Sequence, residues 1–126
     1  MDSVATKVIR VLLGLLLVVA GLNKLLHFMP DPPHNDAATA FMTALAATHY
    51  MFPIIAVVEI VCGAAFLTGR FVALAAVVLA PVALNIVLFH VLLDPAGGAP
   101  GYFVGLAEIW LLAVSFPKYQ DMLMPR

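Results

Sequence analysis

The chain has 126 residues, enough for one domain spanning 1–126. Sixty-four per cent of them are hydrophobic and 10% are charged, which excludes a soluble domain that must coat itself in polar side chains. The net charge of −1 comes from six basic and seven acidic residues with no basic stripe, which excludes nucleic acid as a partner.

The hydropathy pattern predicts an all-α fold, a bundle of four transmembrane helices in the lipid bilayer. Span one runs from about Val8 to Met29 and is stopped by Pro30, Pro32 and Pro33. In the loop that follows, Asn35 or Asp36 can cap a short helix. Ala38, Phe41, Met42 and Leu45 fall on one face of it, so it reads as an amphipathic helix at the membrane surface or a lid on the bundle mouth. Span two runs from about Phe52 to Thr68 and span three from about Phe71 to Leu93. Only Gly69-Arg70 separates them, so they form an antiparallel hairpin. Span four runs from about Tyr102 to Phe116, after the glycine-rich segment at 96–101.

Lysine and arginine placement orients the bundle. Lys7, Arg10, Arg70, Lys118 and Arg126 all fall on one side, and only Lys24 lies towards the other. Both termini are therefore expected in the cytoplasm, with the chain in the cell (inner) membrane. A rival reading takes the first span as a cleavable signal peptide with Val18-Val19-Ala20 at its end. The consistent placement of the basic residues on one side favours four spans.

Polar residues inside the spans are the candidates for function, because ionisable groups in a bilayer usually face the bundle interior. At about 1.5 Å per residue, Asn23 and Lys24 lie roughly 8–9 Å, and His27 roughly 3 Å, from the outer end of span one. Glu59 lies roughly 10 Å, and Glu108 roughly 9 Å, below the start of spans two and four. Asn85 lies roughly 12 Å, and His90 roughly 5 Å, from the outer end of span three. All seven fall in the outer half, flanked by small residues such as Gly21, Gly63, Ala64 and Gly105. The inner half holds almost no polar side chain besides Thr68 and Ser115. Two carboxyls against one lysine leave a charge over, so one carboxyl carries a proton or a further cation joins.

These residues bear on several chemistries. The lone Cys62 excludes an internal disulfide, and no CxxC is present. His27 and His90 on two helices are the residues a haem would need, but both lie near the surface. Glu59, Glu108 and the histidines sit at loosely matched depths, and the Glu-x-x-His pair of di-iron bundles is absent, so a metal fits poorly. His34 and His49 read as solvated loop residues. Four short helices with an apolar inner half make a poor transport path unless the chain forms an oligomer. Spans one and three share a faint repeat, Asn23-Lys24-Leu25-Leu26-His27-Phe28 against Asn85-Ile86-Val87-Leu88-Phe89-His90. Glu59-Ile60 and Glu108-Ile109 extend it, as two copies of a helical hairpin would.

The stretch Gly21-Leu22-Asn23-Lys24-Leu25-Leu26-His27-Phe28 resembles the first helix of DoxX-like membrane proteins. Thr48 to Pro53, Val58 to Gly63, Gly69 to Ala75 and Asn85 to His90 continue the resemblance over nearly the whole chain. It implies a four-helix membrane bundle with recurrent polar positions at Asn23, Lys24, Glu59, Asn85 and His90. The family takes its name from a subunit of a thiosulfate:quinone oxidoreductase, and other relatives are linked to oxidative-stress complexes or receptor assembly. The resemblance implies no catalytic set.

Two functional expectations follow. In the first, the chain is an accessory subunit of a membrane oxidoreductase system whose outer polar pocket meets a quinone or another lipophilic ligand. Lys24 and His90 would donate to its oxygens, while Glu59 and Glu108 relay protons. With no flavin, haem or thiol-pair signature, such a chain needs partner subunits or a bound ligand to supply the redox chemistry. In the second, it is a non-catalytic assembly or chaperone-like membrane protein, in which the Lys–Glu network only sets the fold.

Overall fold

The computed structural model describes residues 3–29 and 34–125. These residues form five α-helices and two short 3₁₀ turns, with no strand among them. The helices are α1 (Val4–Leu26), α2 (Asp36–Ala47), α3 (Met51–Thr68), α4 (Val72–Leu92) and α5 (Ala99–Ser115). The 3₁₀ turn Phe116–Tyr119 prolongs α5. α1, α3, α4 and α5 with its prolongation are long and apolar enough to cross a membrane. Much of their surface is leucine and valine turned outward, which in a membrane meets lipid. Pro30, Pro32 and Pro33, read above as the stop of span one, lie outside the described residues.

Local chemistry explains where the helices begin and end. α1 starts earlier than hydropathy suggests because Ser3 caps it, its Oγ accepting the Thr6 N–H at 3.1 Å. It stops at Leu26, where His27 turns left-handed at φ 52° and donates its N–H to the Asn23 carbonyl at 2.8 Å. α2 occupies the stretch expected for the amphipathic helix, with Asn35 Oδ1 accepting the Ala38 N–H at 2.8 Å. Gly69, at φ 73°, ends α3 in the left-handed conformation that glycine adopts without strain. α5 starts at Ala99, inside the segment expected as loop, because Pro100 suits a first helical turn that needs no N–H donor.

The four long helices close into a ring in the order α1, α3, α4, α5, with the closest packing between α1 and α3 and between α4 and α5. The centre of the ring holds Leu13, Leu17, Cys62, Phe66, Leu79 and Leu111. α1 and α3 meet backbone to backbone. A Cβ on Gly63 would lie 2.9 Å from the Gly14 carbonyl oxygen, and one on Gly21 2.8 Å from that of Ala56. Glycine at these positions lets the two helices approach as small residues do in membrane bundles.

The end that carries the termini is more polar than the sequence suggests. Thr6 is buried there and accepts hydrogen bonds from Ser3 Oγ at 2.8 Å and Trp110 Nε1 at 3.0 Å. Arg10 donates to the carbonyl of Phe66 in the last turn of α3, where helix carbonyls lack helical donors. Tyr119 donates its hydroxyl to the Ala73 carbonyl at 2.6 Å. Thr6 and Tyr119 lie beyond the segments that read as spans, so an inventory restricted to those spans leaves them out.

α2 lies at the opposite end. Phe41 packs on Phe89 of α4 with ring centroids 5.5 Å apart, and Ala38 is wholly buried. Asn35 also donates its amide to the Leu93 carbonyl just past α4. α2 is therefore tied to the bundle as a lid.

Candidate functional site

Lys24 sits in the last turn of α1, and helical side chains lean towards the N-terminus of their helix. Its chain therefore runs back towards the level of Gly21, where α3 comes closest. Glu59 waits there, on the same face of α3 as Ala56, Gly63 and Phe66. The Lys24 Nζ lies 2.7 Å from Glu59 Oε1. The lysine side chain is 28% exposed and the glutamate 2%. Beyond this ion pair, Glu59 Oε1 has no hydrogen-bond partner among the described residues. The pair joins α1 to α3, the two halves of the first hairpin.

Glu108 lies on the buried face of α5, between Val104 and Leu111. It is 4% exposed, and neither carboxyl oxygen has a hydrogen-bond partner among the described residues. The faint repeat accounts for the contrast with Glu59. The position in the second hairpin that matches Lys24 is Ile86, which packs against the core and offers no charge. Cys62 lies one turn from Glu59, buried, with its thiol 3.5 Å from the Ala75 carbonyl oxygen.

The other candidates do not join these carboxyls. Asn23 closes the end of α1, its Oδ1 accepting the Met29 N–H at 2.8 Å. His27 is the exposed cap of the same helix. Asn85 is exposed on the outer face of α4. His90 belongs to a separate group at the lid end. Its Nδ1 lies 3.3 Å from the Asp94 carbonyl oxygen, and its ring stands edge-on to Phe89 with centroids 5.1 Å apart. Shared depth along the membrane normal thus brings Lys24 and Glu59 together and leaves the rest apart.

The lid-end group contains a pair that sequence reasoning missed. His34, expected in solvent, is half-buried with Nδ1 2.9 Å from Asp94 Oδ2. Its ring also stands edge-on to Phe89, at 5.9 Å between centroids. The signal available was the position of Asp94 immediately after a long apolar helix, where a carboxylate needs a partner. His49 is exposed, as expected of a loop histidine.

Among the described residues, no three His, Cys, Asp or Glu side chains gather as a metal would require. Two surface hollows are lined by apolar groups. One, of about 290 Å³, lies on α3 over Pro53, Ile54, Val57 and Val58. The other, of about 270 Å³, lies between α4 and α5 over Val87, Tyr102, Gly105, Leu106 and Ile109. Neither contains any of the seven candidates.

The family model described as DoxX matches residues 5–91. The match takes in both members of the Lys24–Glu59 pair and every stretch that carries the resemblance, and it stops before α5, so Glu108 lies beyond it. No curated protein and no solved structure matches the chain. With α1, α3 and nearly all of α4 inside the match, this multi-pass membrane protein belongs to the DoxX family.

Proposed function

We propose that this protein is a non-catalytic subunit of the inner membrane that acts by assembling with partners in the bilayer. In this reading the Lys24–Glu59 pair serves as the lock of its first hairpin. The observation that carries it is the pair itself. Lys24, partly exposed in the last turn of α1, is engaged at 2.7 Å by a carboxylate that is 2% exposed, and the other polar candidates serve as helix caps or stand apart. A lock of this kind contributes little while intact, yet is costly to break from one side, because a buried charge is left unpaired. The grouping of Lys7, Arg10, Arg70 and Lys118 at one end supports a cytoplasmic location for both termini and an external lid.

A second reading keeps a quinone or another lipophilic ligand at this place. The partial exposure of Lys24 favours it, since the ammonium reaches the surface of the bundle and can donate to a carbonyl or quinol oxygen there.

One experiment separates them. Lys24→Met, Glu59→Gln and the double variant are titrated with SDS from lipid micelles, and the wild type is extracted for mass spectrometry. The lock reading expects Lys24→Met to cost about 3–5 kcal/mol, with most of that loss recovered in the double variant. Additive single effects, or a quinone that leaves the preparation when Lys24 is changed, would sink it.

A further inference from the structure

Each long helix turns an apolar stripe outward, and such stripes share a spacing of three and four residues on any helix with one exposed face. On α1 the stripe includes Leu12, Leu15 and Val19, and on α3 Ile54, Val57 and Val61. The stripe of α4 differs in one residue. It runs Leu74, Val78, Pro81, Asn85, Leu88 and Leu92, all exposed. The carboxamide of Asn85 lies about 20 Å along the helix from Val72 and about 10 Å from Leu92, so it falls well inside an apolar layer. No side-chain hydrogen bond of Asn85 is formed among the described residues. One turn away on the same stripe, Pro81 lacks an N–H and leaves the Val77 carbonyl without its helical donor.

A carboxamide carries both donor and acceptor, so it complements itself across a two-fold axis. Two copies inserted in the same orientation and related by an axis along the membrane normal set their α4 helices parallel. The 4-3-4-3-4 spacing then forms a seam in which Asn85 of one copy faces Asn85 of the other, as a single polar residue fixes register in a coiled coil. We propose that the exposed face of α4 is a homodimer interface, and that paired Asn85 carboxamides select it over the wholly apolar faces of α1 and α3. The occupant is a second copy of this chain, whether or not the Lys24–Glu59 pair is a structural lock.

The test uses the full chain in lipid vesicles, labelled with two fluorophores and diluted with lipid to obtain the dimer constant. Asn85→Leu is expected to weaken dimerisation about 3- to 30-fold, the range for one hydrogen-bonded polar pair between membrane helices. Asn85→Gln is expected to retain most of it. Asn85 is exposed in the single chain, so at dilutions where all forms are monomeric both variants should keep the wild-type SDS unfolding curve. Oxidation of Leu88→Cys should give a linked dimer, whereas Leu15→Cys on α1 and Val61→Cys on α3 should not, with the parent and its buried Cys62 as control. A wild type that stays monomeric at every dilution, as it would if lipid or a different protein covered this face, overturns the proposal. So does cross-linking through α1 or α3, or an Asn85→Leu variant that dimerises as tightly as the wild type.

Discussion

Replacing Glu108 with methionine should stabilise this protein, although it deletes an ionisable residue from the centre of the bundle. Both carboxyl oxygens are shielded from the surroundings and neither has a donor among the described residues. An unsatisfied buried polar group costs about 1–3 kcal/mol. Methionine is unbranched, of similar length and adaptable in an apolar gap, so the repacking cost should stay below about 1.5 kcal/mol. The balance favours Glu108→Met by about 1–2 kcal/mol. SDS titration followed by far-ultraviolet circular dichroism gives the difference directly, provided wild type and variant share one slope. The same substitution at Glu59 serves as the opposite control, because it strands Lys24. A Glu108→Met protein less stable than wild type by more than about 1 kcal/mol would refute the reasoning, since a loss that large means the carboxyl has a partner.

Two further outcomes follow from the packing. Gly63→Ala places a Cβ 2.9 Å from the Gly14 carbonyl oxygen and 2.8 Å from Val18 Cγ2, so α1 and α3 must separate. The expected cost is about 1–3 kcal/mol by the same titration, and an unchanged midpoint would contradict the close approach. Asn35→Ala removes the cap of α2 and its tie to Leu93, which should cost α2 about 0.5–2 kcal/mol. Hydrogen exchange at the Ala38 and Thr39 amides is the readout, and unaltered protection would show that Asn35 does not hold the lid.

Depth was legible in the sequence and azimuth was not. Counting residues along each span places Lys24, Glu59, Asn85 and Glu108 at similar levels, but successive residues on a helix are turned by about 100°. Asn85 is two residues from buried Ala83 and therefore about 200° round the helix, facing outward. Ala76, Leu79 and Ala83 mark the core face of α4 at helical spacing, so the pattern contains that answer when small residues are counted as core. Glu59 follows the same logic with the opposite result, three residues from Ala56 and four from Gly63. Helix ends were lost for a different reason. A hydropathy reading passes over Ser3 and Pro100, whose effects are on single N–H groups, and so it starts α1 and α5 late. The His34–Asp94 pair joins residues 60 apart, so local pattern marks Asp94 as needing a partner but does not identify His34 as that partner.

That separation bears on the order in which the protein comes together. The hydrogen bond from Asn35 to Leu93 spans 58 residues, and α3 and α4 lie between its two ends. The lid is synthesised long before its anchor exists. At about 5–20 residues per second, the anchor follows the lid by roughly 3–12 s, while the first hairpin can already close its Lys24–Glu59 pair. α2 must therefore wait at the membrane surface, and its docking can report that α4 has crossed and reached its final depth.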